Sequence, residues 1–311
     1  MSEQNPAVTC IGVLAHPLRP QTFPVADRII EGLKRYPVRT WMYTEWQGNE
    51  VIEDVRCADL VIAIGGDGAM LRAARACAPY GIPVLGINMG QLGFLTEISQ
   101  PDTWEPYVEA VLRGEFWIET RMMLRVDVKR GETTVVSGEA LNDIVISGSV
   151  IGRMIQLDTY IDSDWATTYN ADALVVSTAT GSTAYALALG GPILPPELGN
   201  ILIVPAAPHL SMDRPIVLAE GAQVEVRAAA TNRNEIMISA DGAVLHSLGE
   251  DERICIQGSE YSSRFARLRS RNYFYRSLLD RLEPRVSRPG TAPPPNGHSN
   301  TTVSDNHHQH S

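Results

Sequence analysis

An apolar run, Leu60-Val61-Ile62-Ala63-Ile64, ends in Gly65-Gly66-Asp67-Gly68 and passes directly into a helix-forming stretch, Ala69-Met70-Leu71-Arg72-Ala73-Ala74-Arg75. A strand that stops on glycines and opens into a helix commits this part of the chain to an α/β arrangement. It also builds a phosphate-binding geometry, because bare backbone N–H groups meet the positive end of the helix dipole there. Asp67 is the odd member of that loop. A carboxylate repels phosphate, so it suits proton handling or metal contact better than direct anion binding. The competing structural role is a helix cap, with the side-chain oxygen taking a first-turn N–H.

The neighbouring sequence repeats the same alternation. Residues 8–14 read as a strand, and 22–36 as a helix with Val25, Ile29, Ile30 and Leu33 on one face; 38–43 are a second strand and 51–57 a short helix. The helix after the glycine loop runs to residue 78, and 82–87 form a further strand. This βαβ rhythm predicts a doubly wound parallel sheet whose ligands bind beyond the carboxyl ends of its strands. From about Trp117 the pattern changes to successive strands at 124–128, 143–147, 154–161, 174–177, 201–204, 224–227, 235–239 and 253–257. The predicted class is therefore α/β plus all-β, with a sandwich-like second domain. Residues 272–282 are helical again, with Phe274, Leu278 and Leu282 on one side. The expected division is an α/β domain at 1–116, a β-rich domain at 117–268 and, at 269–283, a helix returning to the first domain. A Pro-, Gly- and His-containing tail at 284–311 is too polar to fold.

With 44% hydrophobic residues in 311, the chain can bury a sizeable core. Its apolar runs stay well short of the roughly 20 residues that span a bilayer. The N-terminus also lacks a basic segment followed by an apolar one, so a soluble, cytoplasmic protein is expected. The 26 Lys and Arg against 36 Asp and Glu give a formal charge of −10, which argues against a nucleic-acid surface or an anionic membrane patch. Cys10, Cys57, Cys77 and Cys255 fit neither a disulfide framework nor a zinc site and are expected as buried free thiols. His298, His307, His308 and His310 have no carboxylate or cysteine at ligand spacing and are assigned no function.

Two further segments carry candidate chemistry. Residues 171–185 crowd hydroxyls around Gly181 between a strand and a predicted helix, supplying partners for phosphate, sugar or base; Thr180 or Ser182 would equally serve as a helix cap. Asn142-Asp143 stands just before an apolar strand, a routine turn pair when taken alone. Arg153 and Arg214 are candidate anion partners only in context.

In order and spacing, six blocks together resemble the NAD kinases. They are residues 65–68, 86–96, Asn142-Asp143, 177–185, Gly190-Gly191-Pro192 and 208–215, and the resemblance covers about 8–282. It implies transfer of the γ-phosphoryl of ATP, with Mg²⁺, to the 2′-hydroxyl of the adenosine ribose of NAD⁺, in a site between the two domains. Asp67 would be the proton acceptor, and Gly65, Gly66 and Gly68 would let backbone approach the phosphates. Asn142 and Asp143 match the pair that contacts NAD, and Asp172 matches the acid before the hydroxyl-rich strand. Thr183, Ala184, Tyr185, Ala186, Leu187 and Ala188 match the segment lining the dinucleotide, and Arg72 and Arg153 fall at positions that contact it. A homo-oligomer is implied as well. The chain departs from the family at Ala69, where Thr is frequent, at Asp143, often Glu, and at Ala179, usually Pro; Asn170 and Ala243 replace Arg and Gln of some relatives. Two other readings compete. A lipid kinase or phosphofructokinase of the wider superfamily would use the same loop, but no apolar slot or basic membrane-facing element is evident. A silent dinucleotide sensor would not require an acid in a phosphate loop.

Overall fold

A computed structural model describes residues 5–46, 49–90, 93–150 and 152–282. The tail at 284–311 and its histidines lie outside them, as do Gln91 and Leu92 of the second block. Strands β1 (Cys10–Ala15), β2 (Arg39–Tyr43), β3 (Leu60–Ile64) and β4 (Val84–Ile87) are parallel, in the order β2-β1-β3-β4. Between them run the helices α1 (Phe23–Leu33), α2 (Asn49–Arg56) and α3 (Asp67–Cys77), with α4 (Val108–Leu112) following. Strand residues alternate between two buried faces. Ile11, Val13, Ile62 and Ile64 pack against Val25, Ile29 and Leu33 of α1 and Val108 and Val111 of α4. Leu14, Val61 and Ala63 pack against Val51 and Val55 of α2 and Met70, Ala73 and Ala74 of α3. Helices on both faces make the sheet doubly wound, as its rhythm predicts. The strand order reverses between β1 and β3, and the crevice at such a reversal is where ligands bind.

The remaining strands are β5 (Trp117–Arg130), β6 (Thr133–Ala140), β7 (Asp143–Gly148), β8 (Ile155–Ile161), β9 (Asp164–Ala171) and β10 (Ala173–Ser177). They continue with β11 (Ile201–Ala206), β12 (Ile216–Leu218), β13 (Val224–Ala228), β14 (Ile236–Ala240), β15 (Ala243–Ser247) and β16 (Glu252–Arg267). One antiparallel sheet runs β12-β11-β10-β7-β14-β15. The others extend the first sheet as β4-β16-β13-β8-β9, with β5 on β16 and β6 on β5. Ile144, Ile146, Leu174, Val176, Ile201 and Ile203 form a core with Leu124, Val126, Val224, Val226, Ile254 and Ile256 of the extended sheet, which is the expected sandwich. The outward Val175, Leu202 and Val204 are covered by Ala186 of the one-turn helix α5 (Tyr185–Ala188).

Four strands, β6, β9, β12 and β15, escape sequence reading because their residues are largely polar or their runs short. β16 extends to Arg267 instead of stopping at 257. Its polar stretch stays extended because it pairs with β5 across an irregularity between Gly258 and Ser262. Its end pairs in parallel with β4, Phe265 opposite Val84, joining the β-rich strands to the first sheet. The expectation of uniformly buried thiols is corrected. Cys10 and Cys77 are buried, but Cys57, in the turn that ends α2, is exposed and Cys255 half-buried. Residues Tyr273–Leu282 form helix α6.

Candidate active site

The glycine loop hangs from the carboxyl end of β3, where the Gly65 N–H donates to the Ile87 carbonyl of β4. Gly65 turns with φ 152°, and a Cβ there would lie 2.6 Å from that of Ala69. Gly66 is the N-cap of α3 and Asp67 its first residue, yet no side chain caps the helix. The Asp67 carboxylate bonds outside its own helix, so the capping role is excluded. Instead Asp67 Oδ2 accepts the N–H of Phe94 at 3.0 Å and Oδ1 that of Leu95 at 3.1 Å. Gly93 sits so close that a Cβ would fall 1.7 Å from Asp67 Oδ1. Its own N–H donates to Thr96 Oγ1. Residues 93–96 thus clasp the carboxylate, and since each ionised oxygen carries two lone pairs, one on each remains for a proton. In the sequence this segment is a block of the resemblance without a role of its own.

His16 follows β1 at the same edge, its ring 3.8 Å from the Cβ position of Gly65. Its Nδ1 accepts the Leu18 N–H. Burial, and then the charges of Arg72 and Arg19, push its imidazole below its usual range. Arg72 and Arg19 therefore lie near His16 at this edge, and nothing in the sequence marks Arg19 and His16 there. Local positive charge of this kind offsets the overall −10 for an anionic ligand.

Asn142 and Asp143 are locked to the hydroxyl-rich segment. The Asn142 carbonyl accepts from Thr178 N–H and Ser177 Oγ, and Thr178 Oγ1 donates to Leu141 O at 2.6 Å. Gly181 approaches so closely that a Cβ would lie 2.1 Å from Asn142 O. The helix predicted here is reduced to a 3-10 turn, Gly181–Thr183, and α5, and neither Thr180 nor Ser182 caps it. Ser182 Oγ instead donates to Ala179 O and accepts from Leu194 N.

Asp241 is a further residue that sequence reasoning missed. Its side chain is fully buried and its carboxylate accepts three successive N–H groups, from Leu141, Asn142 and Asp143, while Arg75 of α3 lies 4.0 Å away. Asp241-Gly242, both at positive φ, form the two-residue turn between β14 and β15. The Asp-Gly pair after an apolar strand is a hairpin signal that would have located it. Asp143 is buried beside this carboxylate. Burial first, and then the charge of Asp241, push Asp143 up to about 7.

The other expected positions are less tightly joined. Gly68, Arg72, Tyr185 and Ala188 are exposed, Thr183, Ala184 and Leu187 half-buried, and Ala186 is packed into the core under β10 and β11. Asp172 is exposed at the start of β10, with its N–H on Ala206 O. Arg153 lines a separate cleft of about 380 Å³ with Met154, Gln156, Asn170 and Asn232.

Models of two domains match the chain: the ATP-NAD kinase N-terminal domain over residues 11–116 and its C-terminal domain over 141–268. The chain belongs to the NAD kinase family. The NAD kinase of Moorella thermoacetica is 38% identical over 285 residues, covering 89% of this chain and 90% of that one. The NAD kinase of Erwinia tasmaniensis is 36% identical over 279 residues, 87% of this chain and 95% of the other. An NAD kinase from Archaeoglobus fulgidus, solved in complex with ATP, superposes with TM-score 0.69 at 26% identity over 88% of this chain and 98% of its own. The fold is shared with yeast NADH kinase solved with NADH, at TM-score 0.77 and 22% identity, covering 90% and 88% of the two chains. Family membership makes this chain a kinase acting on NAD. Asp67 lies within the segment matched to the N-terminal domain of the NAD kinases, and Asn142, Asp143 and Asp241 within that matched to the C-terminal domain.

Proposed function

We propose that the chain transfers the γ-phosphoryl of ATP to the 2′-hydroxyl of the adenosine ribose of NAD⁺, with Asp67 as proton acceptor. The ribose oxygen forms the new bond to phosphorus, the bond from γ-phosphorus to the bridging oxygen breaks, and ADP leaves. The 2′ proton passes to Asp67. A hydroxyl becomes acidic only as it bonds to phosphorus, so a positioned carboxylate can accept the proton late and a strong base is unnecessary. The observation that carries this reading is the clasp: both Asp67 oxygens are oriented by backbone N–H groups at the mouth of a phosphate-type loop.

Gly65, Gly66 and Gly68 form the phosphate cradle, with Arg72 beside it. Asn142 and Asp143 take the ribose hydroxyls, Thr183, Ala184, Tyr185, Leu187 and Ala188 line the dinucleotide while Ala186 packs beneath them, and Asp172 and Arg153 contact it. Among the described residues no group of three or more His, Cys, Asp or Glu is placed to hold a metal ion. Mg²⁺ carried in on the ATP phosphates needs only one or two protein carboxylates, and Asp67 is the acid of the loop. When bound, the ion neutralises phosphate charge. The division into a phosphate-loop part at 1–116 and a dinucleotide part at 117–268 belongs to the same reading, as do a homo-oligomer and a cytoplasmic setting. No described helix is long and apolar enough to cross a membrane.

The test is formation of NADP⁺ from ATP, Mg²⁺ and NAD⁺, read with an NADP-specific dehydrogenase, with NADH and polyphosphate as rival acceptor and donor. NADP⁺ from ATP and NAD⁺ is expected. Clean NAD⁺ binding without product would support a sensor instead.

A further inference from the structure

The clasp on Asp67 is itself anchored from inside the protein. Glu97, Glu119, Arg121 and Arg267 are all at most 5% exposed, and they form one ionic network. Arg267, the last residue of β16, donates through Nη1 to Leu95 O at 2.9 Å and to Glu97 Oε2 at 3.3 Å. Its Nε and Nη2 reach Glu119 Oε2 at 2.8 and 2.7 Å. Arg121 donates to the same oxygen through Nε and Nη2, and its Nη1 reaches Thr180 Oγ1 at 3.4 Å. Both guanidinium groups also lie within 5.5 Å of the centroid of the Phe265 ring. The second oxygen of Glu97 accepts the N–H groups of Leu268 and Arg269.

Burying charges costs several kcal/mol per ion, and well-packed apolar residues of equal volume often stabilise as much or more. Stability alone therefore gives little reason for this network. Its two ends do. One is Leu95, whose N–H orients Asp67, and the other is Thr180 in the hydroxyl-rich segment.

We propose that Arg267 is a positioning residue for phosphoryl transfer: its bond to the Leu95 carbonyl fixes the residue that orients Asp67, and Glu119 and Arg121 tie that clasp to Thr180. The inference rests on the reading of Asp67 as proton acceptor. Only the planar fork of arginine reaches Leu95 and Glu119 at once; lysine keeps the charge and loses the span.

The experiment is a double-mutant cycle in the full chain, using Arg267→Lys, Asp67→Asn and the pair, with labelled ATP so that residual turnover is measurable. Arg267→Lys is expected to lower kcat about 10-fold or more, because small misplacements of reacting groups are costly, while KM for NAD⁺ and ATP stays within about threefold. In the Asp67→Asn background the same change is expected to cost less than about twofold, since it acts through Asp67. An equal loss in both backgrounds would mean a merely structural role, and kcat within twofold of wild type would mean no role at all; either overturns the proposal. Where Arg267→Lys does not fold, the near-isosteric Glu97→Gln goes through the same cycle with the same criteria. A wild type that makes no NADP⁺ fails differently, because it overturns the kinase reading beneath the proposal before any variant is compared.

Discussion

Asp67 and Asp143, both carboxylates of the proposed site, stand in opposite surroundings. Asp67 is half-buried, and its two oxygens take N–H groups from a loop anchored by a buried ionic network. Asp143 is buried beside a second carboxylate, Asp241, and burial and that charge push it up to about 7. The first is positioned and the second is tuned. The difference teaches that identical side chains take different tasks according to what surrounds them. In the proposed reaction Asp67 accepts the ribose proton, whereas burial beside Asp241 pushes Asp143 up to about 7.

The comparison is broken most severely at the clasp. Gly93→Ala places a methyl where Asp67 Oδ1 now lies, so residues 93–96 must open. We expect kcat to fall about 100-fold with NAD⁺ binding within a few-fold, checked by steady-state rates beside calorimetric titration. Unchanged kcat would show that the clasp does not orient Asp67 during turnover.

The other half of the comparison is probed by Asp241→Asn. It removes the like charge beside Asp143 and weakens the hold on three N–H groups, with Arg75 left as the facing charge. KM for NAD⁺ is expected to rise about 10-fold, more than kcat falls, the scale of a lost charge-assisted hydrogen bond. Any inflection of KM near pH 7 should move to lower pH, because the Coulombic part of the upward shift is gone. A pH profile identical to wild type would contradict the tuning of Asp143 by Asp241.

The third effect concerns stability. A carboxyl raised above its unfolded value binds its proton more tightly in the folded state. Its contribution is therefore full below about pH 4 and is lost as pH rises towards about 7. Between pH 5 and pH 8 the wild type should lose stability through this site on the order of 2 kcal/mol, or about 4–8 °C in Tm. Asp143→Asn should flatten that slope in a thermal melt. A slope unchanged by the substitution would place the titration elsewhere.

The two halves of the site also differ in how far the sequence reveals them. The strand, glycines and helix around Asp67 are contiguous, and local chemistry alone points to the loop. The clasp is not local. Phe94 and Leu95 lie 27 and 28 residues away along the chain and act through backbone N–H groups, which leave no side-chain signature. Asp241 is about 100 residues from Asn142, and only its Asp-Gly turn is readable. Likewise the parallel sheet shows in its apolar runs, whereas polar strands such as β9 are held by backbone pairing with β8. The extension of β16 past residue 257 escapes for a related reason, since its partner β5 lies far off in sequence.

Turnover of Asp67→Asn at saturating ATP, Mg²⁺ and NAD⁺, with NAD⁺ affinity measured separately, tests most directly whether Asp67 accepts the ribose proton. The expected result is a loss of about 100-fold or more in kcat with NAD⁺ affinity within a few-fold of wild type. Turnover within a few-fold of wild type would contradict it.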